Sequence, residues 1–128
     1  MQTQTKQKTC AELISARYED RLKQFSDAWA DVEVNWHDYL AENTLAFDYV
    51  EPNTFNDQPH GYYRLQLSWG GPSDEVRWYS RKPHTYFKIT YSYMDWFDGD
   101  EIDVSFDHLW QTIFTEYYET VEPYEGLE

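Results

Sequence analysis

The chain has 128 residues, a single cysteine and a formal net charge of -14, from 24 Asp and Glu against 10 Lys and Arg. The length fits one domain, and the single cysteine excludes an intramolecular disulfide, as expected in a reducing cytosol. The charge disfavours binding to anionic membranes and to nucleic-acid backbones, and the 20% of aromatic residues is atypical of a disordered acidic chain.

The first predicted element is a long helix. Residues 1–8 are polar and we expect them to be flexible, whereas Thr9 and Glu12 fit a capping box that would start a helix. Apolar residues then recur every three or four positions, at Ile14, Tyr18, Leu22, Phe25, Trp29, Val32 and Trp36. This period predicts a helix from about residue 9 to about residue 42. A break or bend is allowed near residues 32–35, where the helical propensity is weak.

The acidic residues of this helix also follow a helical period. They are separated by seven, four, seven and four positions: Asp20, Asp27, Asp31, Asp38 and Glu42. At about 100° per residue they fall within about 60° of arc, roughly opposite the apolar stripe. This face is either an ordinary solvated surface or an array of carboxylates that imitates phosphates. The absence of Lys and Arg between Gln24 and Tyr63 favours the array, since exposed helices usually alternate their charges.

A loop-rich connection and a meander of strands are predicted next. Residues 45–50 form a possible short strand, and residues 63–69, 76–79 and 87–94 form three clearer ones, separated by turn-rich segments. The second of two clusters of basic residues lies on or between these three strands: Arg64, Arg77, Arg81, Lys82 and Lys88.

An acidic loop and a second helix complete the chain. The loop is predicted over residues 95–101, and five carboxylates lie in or directly after it: Asp95, Asp98, Asp100, Glu101 and Asp103. Their spacing does not match a calcium-binding EF-hand loop, so we predict a charged turn and no metal site. Ser105 is predicted to cap the second helix and Pro123 to end it, which leaves residues 123–128 flexible.

This order of elements predicts an α+β fold in a single domain over residues 1–128. A long N-terminal helix, an antiparallel meander of three or four strands and a C-terminal helix would form it, with the helices packed on one face of the sheet. We expect no enzyme and no cofactor, because the four histidines have no Ser or Cys motif nearby, Cys10 stands alone, and no Gly-rich phosphate loop is present.

The charges are segregated along the chain, which predicts a basic partner. From Ile89 to the end there is again no Lys or Arg, and a third acidic patch is predicted there, at Glu116, Glu119 and Glu122. Segregated negative charge attracts a basic surface, most often one that holds nucleic acid. Tyr residues between these acids either cover the core or supply stacking faces to a basic protein.

Two segments resemble a family of small acidic proteins of phages and mobile elements. In that family one strand ends in Trp-Gly-Gly-Pro-Ser-Asp-Glu, here residues 69–75, and a later strand ends in Asp-Trp-Phe-Asp-Gly, here residues 95–99. The resemblance implies a small accessory protein of mobile DNA. By charge and size alone, the chain is also similar to acidic phage proteins that mimic DNA and inhibit restriction enzymes or CRISPR effectors.

From these observations we predict a phage-encoded nucleic-acid mimic that blocks the DNA- or RNA-binding surface of a host defence complex. A CRISPR effector is favoured, and the three acidic patches are the expected contact residues. The alternatives are an immunity-type module that neutralises one basic partner through aromatic anchors, and a housekeeping domain of a mobile element. Because no segment has the apolar run of a signal peptide or a membrane span, we expect a cytoplasmic protein that binds neither membranes nor nucleic acid directly.

Overall fold

A computed structural model describes residues 9–70, 72–95 and 98–117, which form three helices and a five-stranded antiparallel sheet. The elements in chain order are α1 (Cys10–Ala30), α2 (Trp36–Asn43), β1 (Ala46–Val50), β2 (Gly61–Ser68), β3 (Ser73–Ser80), β4 (Lys88–Asp95), β5 (Asp98–Asp103) and α3 (His108–Tyr117). The α+β class is confirmed. The predicted flexible ends and the predicted role of Pro123 lie outside the described residues.

Helix α1 begins where the sequence predicts. The backbone N–H of Glu12 donates to Thr9 Oγ1 at 3.2 Å, and the N–H of Thr9 donates to Glu12 Oε1 at 3.3 Å. These two bonds form the capping box, which satisfies N–H groups that a helix start leaves open. The local pattern of four residues therefore suffices to place the start of this helix.

The single long helix was wrong, because the chain leaves the helical path over residues 31–35. Two side chains offer the backbone local alternatives: Asp31 Oδ1 accepts from the N–H of Glu33 at 2.9 Å, and Asn35 Oδ1 accepts from the N–H of Asp38 at 3.1 Å. Such bonds compete with helical ones and start a new helix at Asn35. Trp29 packs edge-to-face on Trp36 across the corner, with ring centroids 5.0 Å apart.

The strands follow the chain order β1-β2-β3-β4-β5, and each pairs antiparallel with the next. The short strand over residues 45–50 is confirmed as β1. The acidic loop over residues 95–101 was wrong, because β5 pairs with β4 from Asp98 to Asp103. In this register Ile102 lies beside Tyr91 and packs against the core, so one apolar side chain holds a charged segment in the sheet.

The helices pack on one face of the sheet, as predicted. The inward residues of the strands, such as Leu65, Trp78 and Tyr91, are fully buried with residues of all three helices. Trp78 Nε1 donates to the carbonyl of Trp110 at 3.1 Å and links the sheet to α3. The predicted cap Ser105 was wrong, because it lies upstream of α3 and its Oγ accepts from the N–H of Ile89 at 2.8 Å.

Candidate partner-binding site

The five acids predicted on the first helix are all exposed: Asp20, Asp27, Asp31, Asp38 and Glu42. They do not form one continuous stripe, because the interruption at residues 31–35 breaks the helical phase. The first two lie on α1, Asp31 caps its end, and the last two lie one turn apart on α2. The predicted common arc therefore applies only within each helix.

Most of these acids have no cationic partner. Asp27 accepts from Lys23 Nζ at 2.7 Å, but both side chains are largely exposed, and such a pair contributes little to stability. Across residues 9–70, 72–95 and 98–117, no salt bridge involves Asp31, Glu33, Asp38 or Glu42. Their charge is therefore available to a partner.

Several of the acids also lie where they oppose the helix dipole. Asp27 is in the last turn of α1 and Asp31 caps that end, while Glu42 is in the last turn of α2, and neither last turn contains a basic residue. A helix C-terminus has partial negative charge, so an anion there is unfavourable. The dipoles of the two helices therefore do not stabilise these carboxylates.

Apolar side chains are exposed in the same corner. Trp29 is 51% exposed and Val32 is 95% exposed, although the sequence pattern placed both in the apolar stripe that faces the core. The assignment was wrong because α1 ends at Ala30, so that Trp29 lies in its last turn and Val32 lies in the interruption beyond it. We define the helix-corner patch as the exposed residues Asp27, Trp29, Asp31, Val32, Glu33, Asp38 and Glu42. Exposed aromatic residues are enriched in protein interfaces.

Three of the five acids predicted in or after the loop, Asp98, Glu101 and Asp103, have partners within the fold. Asp98 Oδ2 accepts from the N–H of Cys10 at 2.7 Å, and so satisfies a free donor at the start of α1. Burial, followed by the nearby Asp98 carboxylate, raises the pKa of the Cys10 thiol. This disfavours the reactive thiolate. Asp98 therefore has a structural role that its sequence context did not indicate.

Glu101 and Asp103 are engaged in the same way. Glu101 Oε2 accepts from the hydroxyl of Tyr79 at 2.6 Å and also from the hydroxyl of Thr90. Asp103 accepts from the N–H of Ser105 at 2.8 Å, and hydrogen bonds from Ser105 lower the pKa of this carboxyl. Asp95 and Asp100 are half-buried. A carboxylate that accepts internal bonds is less free to imitate a phosphate.

The third predicted patch lies largely beyond the described part of the chain. Glu116 is on α3 and half-buried, with Oε2 3.4 Å from Nε2 of His37 on α2. Glu119 and Glu122 fall outside the described residues. Of the three predicted patches, the helix corner thus combines exposed, unpaired carboxylates with exposed apolar surface.

The described residues hold neither a cluster of metal-ligand side chains nor a membrane-spanning helix. Among the described residues, no group of three or more His, Cys, Asp or Glu side chains is arranged to hold a metal ion. In the same part of the chain, no helix has the length and apolar character that crossing a membrane requires.

Comparison with known proteins adds no relative. No protein-family model, no curated protein and no solved structure matches the chain. The resemblance to acidic phage proteins thus stays a prediction. Any functional conclusion rests on the geometry of the chain itself.

Proposed function

We propose that the protein is a non-enzymatic inhibitor that presents the carboxylates of the helix-corner patch to a basic, nucleic-acid-binding protein. One observation supports this most directly: the helix corner holds exposed acids without cationic partners, and two of them, Asp31 and Glu42, lie at helix C-termini, where a carboxylate opposes the helix dipole. Asp38 and Glu42 are one turn apart, with a rise of about 6 Å. This distance is of the same order as the spacing of phosphates along a strand.

The mechanism is occlusion of a channel lined by Lys and Arg. The net charge of -14 steers the protein to such a channel at low ionic strength. Ordered carboxylates then replace phosphates as partners of the channel's cations, and nucleic acid cannot enter. Among targets of this kind we favour a host CRISPR effector over a restriction enzyme, in line with a phage-encoded accessory protein acting in the host cytoplasm.

A second function is favoured by the exposed apolar residues of the same patch. Trp29 and Val32 offer the apolar anchor that a module specific for one basic partner would use. A mimic depends on many carboxylates and weakens steeply with salt, whereas an anchored module depends on one or two side chains and resists salt. The two functions therefore predict that different substitutions weaken binding to the partner.

The test uses two triple variants with the same change in net charge. Asp31→Asn, Asp38→Asn and Glu42→Gln neutralise the helix corner, and Glu19→Gln, Glu51→Gln and Asp57→Asn neutralise exposed acids elsewhere. Each protein is added to DNA cleavage by purified CRISPR effector complexes and restriction enzymes. We expect wild type and the control variant to inhibit at least one effector. The helix-corner variant should require at least about tenfold more protein, which corresponds to about 1.4 kcal/mol.

Competition separates the outcomes. Mimicry predicts that excess DNA and rising salt relieve the inhibition. Equal weakening by both triple variants would show that only net charge matters and would refute the helix-corner site. Inhibition that survives salt and DNA but is lost in Trp29→Ala would replace mimicry by the anchored module. If none of the tested enzymes is inhibited, the proposed target class is wrong.

A further inference from the structure

The sheet face opposite the helices forms a groove that the acidic residues of the helix corner do not reach. Its floor is made by outward side chains of adjacent strands, including Tyr62, Arg77 and Glu101. The loop between β1 and β2 forms one wall, and the groove encloses about 700 Å³. We call this cavity the open-face groove.

The groove runs along the strands. Trp69 lies at the end formed by the last residues of β2, and His60 and Phe87 line the opposite end. The six steps from Tyr62 to Ser68 at about 3.3 Å each give a length of about 20 Å. The shape suits an elongated ligand more than a compact one.

The wall of the groove is held in place before any ligand arrives. Gln58 is 9% exposed, and its Nε2 donates to the carbonyls of Glu51 and His60, each at 2.9 Å. Its Oε1 accepts from the N–H of Phe55 at 2.9 Å, which fixes the loop where Phe55 lines the groove. A pre-formed wall reduces the ordering cost of binding.

The charges of the lining residues balance. Three cations, Arg64, Arg77 and Lys88, lie with three carboxylates, Asp57, Glu75 and Glu101. Arg77 Nε is 2.7 Å from Glu75 Oε2, and Arg64 forms a two-point contact with Asp48, at 3.0 and 2.6 Å. The lining has no excess of positive charge, and the chain has a net charge of -14. Both facts disfavour ligands that carry phosphate groups.

Cationic ligands are disfavoured for a different reason. The guanidinium of Arg77 lies 4.7 Å from the ring centre of Tyr62, the ammonium of Lys88 lies 4.6 Å from that of Tyr79, and Arg81 lies 4.0 Å from that of Phe87. Cations of the chain therefore already cover faces of three rings that a bound cation would use. A ligand of the groove should be uncharged.

Hydroxyl groups match this lining best. A hydroxyl donates one hydrogen bond and accepts two, so it can bind carboxylates and guanidinium groups side by side. Trp69 is 76% exposed and Phe55 is 55% exposed, and their rings offer apolar faces at the edge of this polar floor. We propose that the open-face groove binds an uncharged oligosaccharide, with hydroxyls on the charged floor and the C–H faces of sugar rings on Trp69 and Phe55.

The test uses four neutral trisaccharides on the full chain: maltotriose, cellotriose, mannotriose and tri-N-acetylchitotriose. Saturation-transfer NMR detects binding, and a titration followed by Trp fluorescence gives Kd. We expect at least one sugar to bind in the millimolar range or tighter. Trp69→Ala should raise Kd at least about tenfold, and Phe55→Ala should raise it as well. Trp29→Ala is the matched control, since it removes an exposed Trp from the helix corner and should leave Kd unchanged.

The same design can overturn the proposal. Absence of binding by all four sugars at 10 mM, which is roughly ten times a Kd of about 1 mM, would do so. Equal effects of Trp69→Ala and Trp29→Ala would also refute it. A hexathymidine oligonucleotide or an uncharged hexapeptide that binds in place of the sugars, with the same sensitivity to Trp69→Ala, would assign the groove to another ligand class. None of these results bears on inhibition through the helix corner.

Discussion

Asp and Glu side chains have different surroundings at the helix corner and in the sheet. At the corner, Asp31, Glu33 and Glu42 are exposed and have no cationic partner among the described residues. In the sheet, Asp74 and Glu75 are buried, and each receives hydrogen bonds from an arginine. Net charge alone therefore does not identify a binding surface. Unpaired acids are candidates for a partner, whereas paired acids serve the fold.

The largest expected effect is at Asp74, a paired acid. Its carboxylate accepts from Arg21 at 2.7 and 3.0 Å, from Ser68 Oγ at 2.5 Å and from the hydroxyl of Tyr91 at 2.6 Å. Asp74→Ala would leave these donors without their acceptor, and we expect a loss of about 3–5 kcal/mol in the free energy of unfolding. Urea denaturation measures it. Glu33→Gln is the unpaired control, with an expected change within about 0.5 kcal/mol.

Equal effects at these two positions would contradict the division into paired and unpaired acids. Arg21→Met is a second test of the same contact, because it leaves the buried carboxylate of Asp74 without its charged partner. It should also destabilise the protein, since Asp74 has a side chain only 5% exposed. A stability unchanged by both variants would show that this contact does not hold α1 to the sheet.

A smaller effect is expected at Tyr18, which links a third paired acid to the core. Its hydroxyl donates to Asp107 and accepts from Trp110 Nε1 at 2.8 Å. Tyr18→Phe removes one hydroxyl and leaves a buried indole N–H without an acceptor, so we expect a loss of about 1–3 kcal/mol in the free energy of unfolding. Urea denaturation again measures it. Thr112→Val is a control, because its hydroxyl is an exposed helical one, and a loss equal to that of Tyr18→Phe would refute the role of the network.

The pH dependence of the free energy of unfolding tests the raised pKa of Tyr79, which lines the open-face groove. Burial, followed by the hydrogen bond to Glu101, raises the pKa of Tyr79 from 10.0 to about 12. The folded state thus holds this proton more tightly than the unfolded state. Its contribution to stability is complete below pH 10 and is lost as the pH rises towards 12. The stability difference between wild type and Tyr79→Phe should be constant below pH 10 and shrink above it, as measured by urea denaturation across pH 8–12 (roughly two units either side of 10). A constant difference over the whole range would contradict the shifted pKa.

The smallest effect is expected at Glu42, an unpaired acid in the last turn of α2. Glu42→Gln removes a negative charge from the negative end of the helix dipole. We expect a gain in the free energy of unfolding of up to about 0.5 kcal/mol at low salt, which added salt reduces. Thermal unfolding at two salt concentrations measures it. A clear loss of stability would show that Glu42 is bonded within the fold, and would place it with the paired acids.

Local patterns predicted a good part of the fold. Thr9 and Glu12 placed the start of α1, because both partners of a capping box lie within one helical turn. Alternation of apolar residues predicted the strands that became β2 and β4, because every second side chain of a strand points to the same face of the sheet. The break at residues 31–35 was only allowed for, because its outcome depends on the packing of Trp29 on Trp36 as well as on local bonds.

The candidate site was predictable only in part. The acids of the helix corner were found from charge alone, as runs of Asp and Glu without Lys or Arg mark them in the sequence. The exposure of Trp29 and Val32 was missed, since a periodic stripe predicts burial and does not show that α1 ends at Ala30. The balance of charges in the open-face groove was missed as well, because its residues come from separate strands.

Residues close together in the chain suffice to predict the α+β class, the start of the first helix and the segregation of charge. Tertiary structure alone decided which carboxylates are free. Asp98 and Cys10 lie 88 positions apart, yet the carboxylate of Asp98 accepts a hydrogen bond from the N–H of Cys10, the first residue of α1. A carboxylate is paired or unpaired according to the donors that folding brings within about 3 Å of it, and no local pattern records those distant donors.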